Sequence, residues 1–517
     1  MLFIFIFILE KFGIQCGKSA FFLNFSIRSP KRVKGKSHRL PRGGLPVGFL
    51  VEKSAESGFF KRMRKALYLV LSAAFAAELL ASAGGNVERV KKLALENVEI
   101  TAVERIEPGA EIGGAKAAGG SVLVKARAKP PSKVNIAICL PDEWNGIFLG
   151  NGNGGMGQNL SLKAAVGGAN GGYASAHCDL GTDKWWVDQD SLDAAIADFG
   201  HDAVCMMTRA GKKIAEAYYG RPPERSYYVG GSTGGQEGLS MAERDPGEYD
   251  GIAVFYPVSD RTGLHTRFVF ERALLHPGNR FSDAQIRRIT EEIVAQNRGN
   301  AGEPAGSQKP YLKYPERAKV DYSKFGFLTK EQVEILKKVH SPFLDPKTGA
   351  FVTFGLPPSC EIADNGKSLK MGFGDWMSEW FFRKSGVDAS KVDLHSYARD
   401  FGKRFAAANA APNLGKFRKL GGKLLIIQGK IDTIVPADYI REWYGLLCKN
   451  VGSVPKTAEF ARLFMVPGGW HGNISGVDML GTIRKWVETG TPPEQIKANV
   501  IINNKRYPED AELYLPR

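Results

Sequence analysis

Apolar runs and amphipathic stretches alternate along this 517-residue chain. Residues 147–149, 227–229 and 252–255 are short runs of apolar and aromatic side chains, typical of strands that are buried on both faces of a sheet. Residues 192–219 instead repeat apolar side chains at helical spacing, which predicts one amphipathic helix. Strands that alternate with helices predict a parallel sheet covered on both faces, the α/β class.

The alternation stops at about residue 262 and resumes with the apolar run at residues 423–427. The intervening segment combines charged helical stretches with loops rich in Gly, Pro and Lys. We therefore predict one α/β domain, formed by residues 84–261 and 417–517, which is interrupted by an inserted domain at residues 262–416.

The net charge of +16 comes mainly from the amino-terminal segment. Residues 1–83 contain 14 Lys and Arg against 4 Asp and Glu, and the rest of the chain has no basic stripe interleaved with aromatic residues. This distribution disfavours a nucleic-acid partner.

Within that segment, Met63 begins a basic stretch that is followed by a mostly apolar run and then by Ala-Ser-Ala at residues 81–83, the pattern of a signal peptide. We predict translation from Met63, with residues 1–62 an over-extended gene prediction, and export to a secreted or periplasmic location. An amino-terminal anchor is the alternative, but nine apolar residues are too few to span a bilayer. No stable membrane insertion is expected after processing.

Six cysteines are few for an exported chain of this length, and one of them, Cys16, lies in the segment predicted to be removed. The remaining five are widely spaced and include no Cys-x-x-Cys pair. An odd, scattered set of this kind predicts neither a zinc site nor a disulfide scaffold.

The most informative motif is Gly-Gly-Ser-Thr-Gly at residues 230–234, which fits Gly-x-Ser-x-Gly. It follows the predicted strand at 227–229 and precedes a predicted helix at 236–243. A strand–turn–helix elbow presents the serine hydroxyl above the sheet and places it at a helix amino terminus. A glycine-rich turn with a capping serine would have the same composition, but both flanks favour Ser232 as a nucleophile.

A nucleophilic serine needs a general base and a carboxylate that orients the base. His471 follows the apolar run at 463–466, and the other histidines of the predicted mature chain all precede the resumed sheet. Asp432 follows the run at 424–427, at a carboxyl end where catalytic residues of α/β sheets collect. Asp438 is the alternative acid, although its position favours the start of the next helix.

The glycine-rich loop at residues 150–157 is compatible with two functions. Its Gly-x-Gly-x-x-Gly spacing, with Asp179 downstream, resembles a dinucleotide-binding motif. Beside a serine elbow, the same loop instead supplies backbone donors to an oxyanion, and export disfavours a nicotinamide cofactor. We therefore predict an oxyanion hole formed by Thr233 and by Gly154 or Gly155.

These residues resemble the family of tannases and feruloyl esterases, which includes the enzyme that hydrolyses mono(hydroxyethyl) terephthalate. The resemblance runs from about residue 95 to residue 493. It is carried by Pro-Asp-Glu-Trp-Asn-Gly at 141–146, by Tyr-Tyr-Gly at 218–220, and by the segments at 226–239, 249–252, 327–333 and 429–432. It implies an α/β-hydrolase fold and a serine esterase for esters of aromatic acids, with a lid inserted between nucleophile and acid.

The chain departs from the family pattern at three places. Gly231 and Gly472 stand where the family usually has a cysteine beside the serine and another beside the histidine. The family's lid often has an Asp-rich calcium loop, whereas residues 297–321 lack clustered aspartates, which puts calcium in doubt. The family's Asp-x-Gly-His reads Asp-Leu-Gly-Thr at 179–182. The resemblance therefore implies a divergent member without the cysteine pair.

The prediction is an exported carboxylic ester hydrolase that uses Ser232, His471 and Asp432, needs no cofactor and acts on a small aromatic ester. Trp376 and Trp380 are candidate acyl-pocket residues, although their helical spacing fits a lid core equally well. An acyltransferase or peptidase with the same triad, and a non-catalytic binding protein on this scaffold, are the alternatives.

Overall fold

The structure is a computed structural model that describes residues 86–182, 192–276, 278–302, 304, 306–370, 374–382, 384 and 386–516. The predicted leader at residues 1–83 lies outside the described residues.

Most of the β-strands in the described residues belong to one large sheet. The strands are β1 (Val98–Ile106), β2 (Glu111–Ile112), β3 (Ala115–Lys116), β4 (Ser121–Ala128), β5 (Asn135–Pro141), β6 (Ile147–Asn151), β7 (Ala174–Cys178), β8 (Arg225–Gly231), β9 (Gly251–Phe255), β10 (Phe343–Leu344), β11 (Phe351–Thr353), β12 (Lys423–Gly429), β13 (Ala461–Val466), β14 (Ile474–Ser475), β15 (Ile496–Ile502) and β16 (Lys505–Leu513).

Twelve strands form this sheet in the order β1-β4-β5-β7-β6-β8-β9-β12-β13-β16-β15-β14. The six central strands, from β7 to β13, pair in parallel, and the strands on both flanks pair antiparallel. The parallel core predicted from the apolar runs is confirmed, and its strands are buried as such runs require.

Successive side chains of the central strands enter two separate hydrophobic cores. In β12, Leu424 and Ile426 belong to one core, whereas Leu425 and Ile427 belong to the other. This alternation follows from the two-residue period of a strand, and it means that helices cover the sheet on both faces.

The helices lie on both faces of the sheet and in the segment between β9 and β12. They are α1 (Leu162–Asn170), α2 (Leu192–Ala197), α3 (Ala203–Tyr219), α4 (Thr233–Arg244), α5 (Arg261–Leu274), α6 (Asp283–Gln296), α7 (Lys330–Val339), α8 (Lys367–Lys370), α9 (Gly374–Phe382), α10 (Leu394–Phe405), α11 (Gly415–Lys419), α12 (Ala437–Val451), α13 (Val454–Ala458) and α14 (Met479–Thr489). Within the described part of the chain, no helix is long and apolar enough to cross a bilayer.

The single helix predicted over residues 192–219 is wrong in one respect. A π-helical turn, Asp198–Asp202, separates α2 from α3. Two of its side chains make polar contacts with other elements: Asp198 accepts a hydrogen bond from Ser132 at 2.7 Å, and His201 contacts Asp245 at 2.6 Å. The apolar spacing carries no information about such contacts, so it could not predict the turn.

The segment between β9 and β12 contains α5 to α11 and the hairpin β10–β11. Its first helix, α5, packs against α9 and α10. The described residues all lie within one compact unit, Ala74–Arg517. The division into an α/β domain and an inserted domain at residues 262–416 stays a prediction.

Candidate active site

Ser232 occupies the sharp turn between β8 and α4. Its backbone has φ 57° and ψ −118°, a conformation that costs free energy in a non-glycine residue. Only glycine fits around it: a Cβ at Gly230 would lie 2.5 Å from the carbonyl oxygen of Gly234, and a Cβ at Gly234 would lie 2.9 Å from backbone atoms of Gly152 and Asn153. The motif therefore forms the tight elbow that was predicted from the sequence.

The three predicted catalytic residues follow three parallel strands at the same edge of the sheet. Ser232 follows β8, Asp432 follows β12 and His471 follows β13. Strand β9 lies between β8 and β12, and the backbone N–H of Ser232 donates to the carbonyl of Phe255, its last residue, at 3.0 Å. The carboxyl ends of parallel strands meet at one edge, which is where α/β sheets bind ligands.

Asp432, rather than Asp438, contacts His471. Asp432 Oδ2 lies 3.0 Å from His471 Nδ1, and Oδ1 accepts the backbone N–H groups of Ile434 and Val435, each at 2.9 Å. The Asp432 side chain is completely buried. Asp438 lies in the first turn of α12 and pairs with Arg441, as its predicted place at a helix start implies.

The loop that follows Asp432 is held by a buried arginine of α5. Arg267 of α5 donates two hydrogen bonds, both at 2.9 Å, to the carbonyls of Thr433 and Ile434. Its charge is paired with Glu271 one helical turn further on, and both side chains are buried. The acid loop is therefore fixed by its own backbone and by α5.

Aromatic side chains surround the His471 loop. The ring of Tyr256 lies 4.2 Å from the His471 ring and 4.6 Å from the Phe255 ring, centroid to centroid. Tyr256 has φ 38°, and burial together with the Asp432 charge raises the pKa of its hydroxyl to about 12. Phe255 and Tyr256 therefore connect the serine elbow with the histidine loop, a contact that the sequence did not indicate.

Three successive carbonyls of the glycine-rich loop accept hydrogen bonds. Asn153 O accepts from the Gly234 N–H at 2.7 Å, Gly154 O accepts from the Gly157 N–H at 3.1 Å, and Gly155 O accepts from the Thr233 hydroxyl. Because a trans peptide directs its N–H opposite to its carbonyl, the Gly154 N–H points away from the Gly234 N–H, and the Gly155 N–H points away from the Gly157 N–H. The Thr233 N–H is the first of α4 and has no acceptor within its own helix.

Asp179 has a structural role that argues against the dinucleotide alternative. Its carboxylate accepts the backbone N–H of Asn135 at 2.8 Å, the side-chain amide of Asn135 at 2.6 Å and the N–H of Gly181 at 3.0 Å. These bonds already occupy the oxygens that would contact a ribose in a dinucleotide-binding fold.

A buried polar network lies beneath the glycine-rich loop. Glu237 is buried and accepts hydrogen bonds from the Asn153 N–H at 3.2 Å and from the Tyr228 hydroxyl at 2.9 Å. Burial raises the pKa of Glu237 to about 7. Arg261 joins the network through Gln236 and Thr233. Sequence reasoning did not find these residues, because a Glu or Arg beside a helix start is usually solvated.

The two positions where the family usually has cysteines differ in their surroundings. A Cβ at Gly231 would collide with the ring of Phe255, whereas a Cβ at Gly472 would meet nothing within 4 Å. All five cysteines of the described residues are free: Cys139, Cys178, Cys205, Cys360 and Cys448. The space beside the elbow is therefore filled by an aromatic ring.

Two further sequence expectations concern the substrate pocket and metals. Trp376 and Trp380 lie on α9, but their side chains are outside what the structure describes. Among the described residues, one group has the spacing of metal ligands, namely His201, Cys205 and Asp245. Its Asp245 carboxylate also pairs with Arg209.

Comparison with known proteins identifies the family to which the chain belongs and the fold that it shares. The model for the family "Tannase and feruloyl esterase" matches residues 120–395 and 401–512. A probable feruloyl esterase B-2 of Aspergillus flavus is 28% identical over 427 residues, which cover 72% of this chain and 78% of that protein. The mono(2-hydroxyethyl) terephthalate hydrolase of Piscinibacter sakaiensis is 25% identical over 469 residues, with coverage of 71% and 75%.

Solved structures share the fold at lower identity. Feruloyl esterase B from Aspergillus oryzae has a TM-score of 0.72 at 17% identity and covers 83% of this chain and 96% of its own. Tannin acyl hydrolase from Aspergillus niger has a TM-score of 0.64 at 17% identity, with coverage of 83% and 91%. The predicted α/β-hydrolase fold is confirmed.

Proposed function

Because the chain belongs to the tannase and feruloyl esterase family and is thus a carboxylic ester hydrolase, we propose that it is a serine esterase with Ser232, His471 and Asp432 as its catalytic triad. The observation that carries this proposal is the 3.0 Å contact between Asp432 Oδ2 and His471 Nδ1, at the edge of the sheet where β8 also ends in the strained elbow of Ser232. This orienter–base pair is what a serine nucleophile requires.

In the proposed mechanism, His471 acts first as base and then as acid. Nδ1–H donates to Asp432, which leaves Nε2 free to accept the Ser232 proton as Oγ attacks the ester carbonyl. Collapse of the tetrahedral intermediate breaks the bond to the alcohol oxygen, and His471 protonates the leaving alcohol. Water then attacks the acyl-enzyme, assisted by His471, and releases the acid. Each step uses groups of this chain, so the proposal includes no cofactor.

The proposed oxyanion hole consists of the Thr233 N–H and an N–H of Gly154 or Gly155. The Thr233 N–H stands at the amino terminus of α4, where the helix dipole favours negative charge. The Asn153 carbonyl supports Gly154 as the second donor, since its bond to the Gly234 N–H turns the Gly154 N–H away from α4.

The proposed substrates are esters of hydroxybenzoic or hydroxycinnamic acids. The names of the relatives support this class, since they include feruloyl esterases and a terephthalate half-ester hydrolase. We also propose that the protein is exported, on the basis of the signal-peptide pattern that begins at Met63.

Turnover of methyl ferulate, methyl gallate and an aliphatic methyl ester, together with labelling by a fluorophosphonate probe, tests this function. Ser232→Ala should abolish labelling and lower turnover of the preferred ester by about 10⁴- to 10⁶-fold. Ser259→Ala is the matched control, since its buried hydroxyl has no hydrogen-bond partner within the described residues. A Ser232→Ala protein that still turns over esters would refute the triad.

Product analysis distinguishes the alternatives. Free acid as the main product, even with excess competing alcohol present, supports a hydrolase, whereas transfer of the acyl group to that alcohol would indicate an acyltransferase. Faster cleavage of the matching amide would indicate a peptidase, and the absence of both turnover and labelling would indicate a binding protein. Preference for the aliphatic ester would refute the aromatic substrate class.

A further inference from the structure

Arg261, the first residue of α5, is a buried cation beside the proposed oxyanion hole. Its side chain is 3% exposed, and it donates from Nε to Gln236 Oε1 at 2.6 Å and from Nη2 to Thr233 Oγ1 at 2.9 Å. Nη1 lies 3.2 Å from His265 Nε2, and the guanidinium stands 4.9 Å from the ring centre of Phe199.

The hydrogen-bond partners of this guanidinium are neutral. Among the described residues, no carboxylate makes a direct ion pair with Arg261; the nearby buried Glu237 attracts it from a distance and uses its oxygens for Tyr228 and Asn153. A buried charge without a direct counter-ion costs several kcal/mol. Burial accordingly lowers the pKa of Arg261 to about 9, which still leaves it mostly protonated at neutral pH. A neutral side chain of similar shape would fold at lower cost.

The hydrogen bond to Thr233 connects the Arg261 guanidinium to both parts of the proposed oxyanion hole, namely the start of α4 and the glycine-rich loop. A hydroxyl has one hydrogen. Because Thr233 Oγ1 accepts from Arg261, its own hydrogen is available for the carbonyl of Gly155, to which it donates. One threonine thus supplies a backbone donor at the start of α4 and holds the loop that supplies the other.

We propose that Arg261 is a positioning residue for the oxyanion hole: it orients the Thr233 hydroxyl toward Gly155 and places a fixed positive charge behind the site where the oxyanion forms. This inference rests on the proposed function. Preorganised charges of this kind stabilise the transition state more than the bound substrate. Loss of Arg261 should therefore lower kcat with little change in KM.

The test compares Arg261→Met, which removes the charge and the donors, with Arg261→Lys, which keeps the charge. For Arg261→Met we expect kcat to fall about 10- to 100-fold, less than for removal of an oxyanion donor itself. Affinity for a trifluoromethyl ketone analogue of the substrate, which forms a tetrahedral adduct with serine, should fall by the same factor. Affinity for the product acid should not change, and Arg261→Lys should recover part of the loss.

Arg244→Met is the matched control for a purely structural role. Arg244 also ties α4 to the insertion, through the carbonyls of Ala407 and Asn409, each at 2.8 Å. Its removal should leave kcat and the ketone affinity unchanged. Equal losses in the Arg244 and Arg261 variants, or equal weakening of ketone and product acid, would overturn the proposal.

A second pair of variants covers the case in which Arg261→Met does not fold. Thr233→Val removes the hydroxyl but keeps the backbone N–H and the Arg261 charge, so it should lower kcat by no more than Arg261→Met does, and Thr233→Ser should largely restore the loss. Where both single variants fold, the double variant should be no worse than Arg261→Met alone, because that change already removes both the charge and the linkage through Thr233. A folded Thr233→Val protein with normal kcat would overturn the inference. If Ser232→Ala is inactive in the same assays, that result leaves the triad standing; residual Ser232→Ala turnover would refute the triad itself.

Discussion

Asp432→Asn should disable the enzyme by reversing the tautomer of His471. Asp432 Oδ1 accepts two backbone N–H groups, from Ile434 and Val435. An asparagine has one acceptor oxygen, which must occupy this position, because an NH₂ group there would leave both donors unpaired at about 1–3 kcal/mol each. The NH₂ group then faces His471 Nδ1, which must become the acceptor.

With Nδ1 as acceptor, the imidazole hydrogen moves to Nε2, so His471 can no longer take the serine proton. This tautomer effect lowers kcat by about 10⁴-fold in other triads, equivalent to about 5 kcal/mol of activation free energy. We expect a loss of that size here, with KM little changed. The melting temperature should stay close to that of the wild type, because the two proteins have nearly the same shape.

The assay is steady-state hydrolysis of the preferred aromatic ester, with Asp438→Asn as the matched control. Asp438 is partly exposed and pairs with Arg441 at 3.1 Å, a surface contact that contributes little to stability. The control should keep wild-type kcat and KM. Retention of more than a tenth of kcat in Asp432→Asn, or a crippled Asp438→Asn protein, would refute the assignment of the acid.

Three further predictions concern the packing around the site. Gly234→Ala should destabilise the protein by about 1–3 kcal/mol in urea unfolding, because the new Cβ would lie 2.9 Å from backbone atoms of the glycine-rich loop. The control is Gly167→Ala, at an exposed position of α1 with open space around it, which should stabilise the protein by about 0.5–1 kcal/mol. The reverse order of stabilities would contradict the contact at Gly234. Burial raises the pKa of Glu237 from its ordinary value of 4.5 to about 7, so the folded state should lose stability as pH rises between these values. Glu237→Gln should flatten the corresponding fall in melting temperature. An unchanged slope of melting temperature against pH in this variant would contradict the prediction. Activity should be insensitive to dithiothreitol, and Gly231→Cys should lower the melting temperature unless Phe255→Ala provides space.

The central sheet could be predicted from the sequence because its strands are buried on both faces. Such strands appear as continuous apolar runs, and the runs at residues 227–229, 252–255 and 424–427 all correspond to parallel strands. The π-helical turn, Asp198–Asp202, could not be predicted, since it is accompanied by long-range polar contacts rather than by an apolar period. The spacing of apolar residues within one segment does not indicate which distant segments that one will contact.

The candidate site divides in the same way. Ser232, Asp432 and His471 could be placed from the sequence because each follows a recognisable strand. The glycines of the elbow could be recognised as well, because larger side chains would not fit in so tight a turn. The supporting residues, Arg261 and Tyr256, carry no motif, because their importance depends on what the fold brings next to them. The role of Trp376 or Trp380 in an acyl pocket stays a prediction.

The contacts made by helix α5 determine where the segment between β9 and β12 can be cut if it is to be exchanged with that of a relative. Arg261 and Arg267 both lie on this helix; one contacts Thr233 in the elbow and the other holds the backbone after Asp432. A chimera joined at residue 262 would separate these two arginines and replace the second together with most of the helix. Junctions placed after Leu274 would instead leave the whole helix, with both of these contacts, on its parent sheet.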